Sequence, residues 1–90
     1  MIVKVIGMTD VVYVNTDYIT NISVMDKVVS VRVPKRASEF PDIQEEHRYY
    51  LTVGLVGSQH HIRFAHRDVA EQKMAELAGI ASKNSNIREI

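Results

Sequence analysis

Residues 19–33 read ITNISVMDKVVSVRV, a run dense in β-branched side chains whose only charged dipeptide is Asp26-Lys27. Branched side chains pack well on a pleated surface, so the run predicts β-structure. With Asp26-Lys27 as a two-residue turn, Met25 faces Val28, Val24 faces Val29 and Ile22 faces Val31. Ile22, Val24, Val29, Val31 and Val33 then share one face, and Asn21, Ser23, Ser30 and Arg32 share the other. This division of the residues favours a hairpin here, although Asp-Lys is a weaker turn signal than Asp-Gly.

Working outward, MIVKVIG (1–7) and DVVYVN (10–15) read as two further strands, with Asn15, Thr16, Asp17 and Tyr18 forming a tight corner or one helical turn. The first strand has apolar residues on both faces, Ile2 and Ile6 opposite Val3 and Val5, more than a one-sided sheet requires. Residues 34–46, PKRASEFPDIQEE, hold both prolines and no steady period, and read as a long mobile loop with Phe40 and Ile43 as its large apolar anchors. A second hairpin follows, HRYYLTVGLVGSQHHIRFA (47–65), turning at Gly57-Ser58. It sets Val53 opposite Ile62 and Leu51 opposite Phe64. Tyr49, Leu51, Val53, Leu55, His60, Ile62 and Phe64 fall on one face, and Arg48, Tyr50, Thr52, Gly54, His61 and Arg63 on the other.

RDVAEQKMAELAGIASK (67–83) has helical spacing, with Ala70, Met74, Leu77, Ala78 and Ala81 as its apolar stripe and Asp68 as its cap, three residues before Glu71; the helix ends at Gly79 or runs on to about Ser82. The tail NSNIREI (84–90) reads as frayed. The expected fold is α+β: a bent antiparallel sheet or partial barrel of about six strands, with two clear hairpins and one C-terminal helix, in a single domain over 1–83.

The 90 residues suit one small core, and 46% apolar residues is ordinary for a folded chain. Eleven basic residues balance eleven acidic ones, which disfavours binding nucleic acid by phosphate neutralisation. With no cysteine there is no disulfide, thiolate zinc site or cysteine nucleophile. No serine lies in a nucleophile signature, and no glycine cluster forms a phosphate loop. No membrane span and no secretory leader pattern are evident, so the expectation is a cytoplasmic protein with no cofactor.

His60 and His61 are neighbours on a strand and point to opposite faces, so they cannot hold one ion together. Extending the second hairpin brings His47, His66 and Asp68 together, an outside candidate for a metal or acid–base site. Arg48, Tyr50, His61 and Arg63 share the polar face, and Arg32 joins them if both hairpins lie in one sheet. Arginines flanking an aromatic are chemistry suited to single-stranded nucleic acid, the second reading. The favoured expectation is a non-catalytic interaction module, an accessory domain that binds another protein or forms a homodimer through exposed strand edges.

Overall fold

The computed structural model describes residues 1–33, 42–83 and 87–90. The fold is α+β: among these residues there are five strands in two antiparallel sheets, neither of them closed, and one α-helix near the C-terminus.

β1 (Ile2–Ile6) and β2 (Val11–Asn15) pair with Val3 opposite Val14 and Val5 opposite Val12. The turn between them closes with a Gly7 N–H bond to the Asp10 carbonyl, 2.7 Å, and docks on the far sheet through Met8 N–H to the Arg63 carbonyl, 2.8 Å. Glycine is needed in that turn, because a Cβ on Gly7 would come within 2.5 Å of Ile62 Cγ2. A short 3-10 turn, Thr16–Tyr18, then follows, with the Asn15 side chain accepting from the Asp17 N–H. It is the corner expected there.

β3 (Ile19–Val33) is one unbroken strand, so the expected hairpin at Asp26-Lys27 does not form. A tight hairpin turn favours residues that take a positive φ, and neither Asp nor Lys does so as glycine can. An antiparallel partner is available instead along its length: Ile22 pairs with Val53, Val24 with Leu51, Asp26 with Tyr49, Val28 with His47 and Arg32 with Ile43. That partner is β4 (Asp42–Leu55), so residues 42–46, expected in a loop, are strand. Residues 34–41 of the expected loop, Phe40 included, lie outside the described residues.

β4 turns back into β5 (Ser58–Phe64) through Val56-Gly57 rather than Gly57-Ser58, with Leu55 opposite Ser58, Leu51 opposite Ile62 and Tyr49 opposite Phe64. The pairing is two residues from the expected one, which leaves every side chain on its expected face. Gly57 has φ +82°, and an added Cβ there would touch nothing within 4 Å. Gly57→Ala therefore carries backbone strain alone, and urea denaturation should show a loss of about 1 kcal/mol.

The helix α1 spans Arg67–Lys83, so it runs through Gly79, one of the two ends the sequence allows. Ala70, Leu77 and Ile80 are buried, with Val69 and Met74 packed beside them. The stripe is turned toward Val69 and Ile80, leaving Ala78 and Ala81 exposed. Asp68 lies inside the first turn rather than before it, and Glu71 bonds back to Arg67 at 3.1 Å. Leu51, Val53, Ile62 and Phe64 of the three-stranded sheet, Val3, Val5 and Val14 of the two-stranded one and the buried helix residues form one core.

Residues 87–90 are not frayed. They run beside β1, with Lys4 N–H bonded to the Arg88 carbonyl and Ile90 N–H to the Lys4 carbonyl, and Ile90 enters the core. No described helix is long and apolar enough to cross a membrane.

Candidate interaction site

β5 flanks β4 only from Tyr49 to Leu55, and the β3 partners of those residues stop at Asp26. Beyond that point β3 and β4 continue as a two-stranded ribbon to Val33 and Asp42, past the end of β5. The chain measures 58 × 23 × 18 Å, and its radius of gyration is 16.5 Å. A compact chain of this length has about 12 Å. The arm accounts for the difference.

Side chains alternate along a strand, so register fixes each face of the arm. One face continues the core face of the sheet and carries Asp26, Val28, Ser30 and Arg32 of β3 beside Tyr49, His47, Glu45 and Ile43 of β4. The opposite face carries Met25, Lys27, Val29, Val31 and Val33 beside Tyr50, Arg48, Glu46 and Gln44. In the body, Ile22 and Val24 turn toward the core; on the arm, the valine row Val29, Val31 and Val33 lies on the other side. The apolar pattern changes face where the body ends.

The expected sheet-face residues are largely assembled. Tyr50 pairs with Arg63 and Thr52 with His61, and Arg48 continues the same row. Arg32 does not join them: its partner is Ile43, on the reverse face. The hairpin register put Arg32 there wrongly, and Lys27, opposite Arg48, takes its place. Glu46 was missed because residues 42–46 read as loop. It bonds Arg48 Nε at 3.0 Å and lies 3.8 Å from Arg63 Nη2. This bond is the main cause holding the Arg48 guanidinium above its usual pKa. One carboxylate thus answers two arginines, and with Lys27 in the same row this part of the face keeps a net positive charge within a chain whose total is zero.

The histidines separate. His60 and His61 point to opposite faces, with His61 Nδ1 3.1 Å from Thr52 Oγ1. His47 lies on the arm, its Nδ1 3.2 Å from Asp26 Oδ1 and its ring stacked on Tyr49. It pairs with Val28, while His66 and Asp68 lie at the start of the helix. Among the described residues no three His, Cys, Asp or Glu side chains are placed to hold a metal ion.

Ile43, an expected loop anchor, sits near the end of β4 and is 70% exposed; Val28 is 49% exposed. The two-sided apolar character of β1 resolves into Val3 and Val5 in the core and Ile2 and Ile6 facing outward. No protein-family model matches the chain, and neither does any curated protein or solved structure.

Proposed function

We propose that the chain is a non-catalytic interaction module that acts by self-association, with the β3–β4 arm as its contact element. The observation that carries this reading is the change of face along β3. Ile22 and Val24 serve the chain's own core, whereas Val29, Val31 and Val33 form a row turned away from it, on a ribbon with no third strand among the described residues. An isolated two-stranded ribbon is marginally stable in water, so an arm of this length gains from a partner that covers it. Arg48 and Arg63 on the same sheet face share the Glu46 carboxylate, and the chain as a whole has no basic excess, so the nucleic-acid reading has less support.

Sedimentation equilibrium across about 1–100 µM, a range bracketing ordinary dimer affinities, tests the proposal. The expected result is a monomer–dimer equilibrium unchanged by a short single-stranded oligonucleotide. A monomer mass at every concentration overturns it, and so does a mass shift that appears only with the oligonucleotide.

A further inference from the structure

β3 is an edge strand: β4 is its only described neighbour, and along Met25–Val33 its other edge meets no described strand. Such an edge presents a row of unpaired N–H and C=O groups, a template for another strand. β4 has a free edge on the arm as well, but it carries Glu45 and Glu46 side by side and ends against β5 at Tyr49. The edge of β3 has neither obstacle.

Two identical strands lying side by side in one sheet and running antiparallel are related by a two-fold axis normal to the sheet, so residues of the same parity face each other. That leaves few registers. Centring on Asp26, Lys27 or Arg32 sets a charge against its own copy, which destabilises a strand pair. Centring on Val29 sets Asp26 opposite the partner's Arg32 on both sides of the axis and Met25 opposite the partner's Val33. Lys27 then lies opposite the partner's Val31, and Val28 opposite the partner's Ser30. Val29 is the midpoint of Met25–Val33, so this register covers the unflanked part of the edge in full. The valine rows of the two copies become one.

Resting on the self-association proposed above, we infer that the partner is a second copy of this chain, docked β3 edge to β3 edge, antiparallel, with Val29 on the two-fold axis. The two arms then form a four-stranded sheet, β4–β3–β3–β4, sealed at each end by an Asp26–Arg32 pair between copies.

The chain has no cysteine, so a single introduced thiol reads the register directly. Directly opposed residues in an antiparallel pair have Cα atoms about 4.5–5.5 Å apart, within disulfide reach. Under mild oxidation Val29→Cys should form a covalent dimer in high yield. Ser23→Cys, far from its own copy in this register, should not. Arg32→Asp should weaken the dimer about tenfold by turning both attractive pairs repulsive, and the exchange Asp26→Arg with Arg32→Asp should recover most of the loss. A dimer that persists while Val29→Cys fails to cross-link, or cross-links no better than Ser23→Cys, overturns the edge pairing and leaves the self-association reading standing. A chain that stays monomeric removes both.

Discussion

Leu51→Ala should lower the free energy of unfolding by about 3 kcal/mol, seen as a lower urea midpoint at unchanged slope. Leu51 is fully buried and lies on β4 between its two neighbours, opposite Val24 of β3 and Ile62 of β5. It faces the same core as Ala70, Leu77 and Ile80 of the helix. Three strands and a helix therefore lose contacts at one point, and none of them can collapse inward without disturbing the others. Against the total of about 5–15 kcal/mol usual for folded proteins, that is a large fraction. A loss below about 1 kcal/mol would mean that β4 is slipped by one residue, since only a slip of that kind turns Leu51 out of the core.

How much of this was legible in the sequence depended on parity. The β4–β5 hairpin was read with its turn displaced, yet Leu51, Val53, Ile62 and Phe64 were placed inside correctly, because a shift of two residues preserves each face. The β3 segment failed for the opposite reason. Its apolar residues change phase between Val24 and Val29, and two structures give that pattern: a strand that turns back at Asp26-Lys27, and a straight strand whose halves turn opposite faces to apolar surroundings. Choosing between them required knowing that residues 42–48 run alongside, and the prolines and acidic run at 34–46 hid that strand. Arg32 moved to the reverse face as a consequence, and Lys27 and Glu46 entered the arginine row. The helix and its start were legible from the spacing, but Gly79 left its end open, and the share of burial between Ile80 and the alanines depended on how α1 lies on the sheets.

The tail shows the limit of composition most plainly, and it carries the second large effect. NSNIREI is mostly polar, the usual mark of a fraying end, yet Ile90 is only 9% exposed and belongs to the core. Main-chain bonds hold it: Lys4 N–H to the Arg88 carbonyl at 2.7 Å, Ile6 N–H to the Ile90 carbonyl at 2.9 Å, and Ile90 N–H to the Lys4 carbonyl at 2.9 Å. Lys4 and Glu89 form the parallel bridge that adds this segment to the edge of β1. Ile90→Asp forfeits about 2 kcal/mol of apolar burial and sets a carboxylate against an apolar core, so the segment should detach rather than desolvate the charge. The expected loss is about 3 kcal/mol once weakened main-chain bonds are included. Amide hydrogen exchange locates the effect: the Lys4 and Ile6 N–H groups, protected by the tail in the parent chain, should exchange faster in the variant, while those of Leu51 and Val53 slow or quicken only with global stability. Unaltered protection at Lys4 and Ile6, with a stability change under about 0.5 kcal/mol, would mean that β1 does not depend on this pairing.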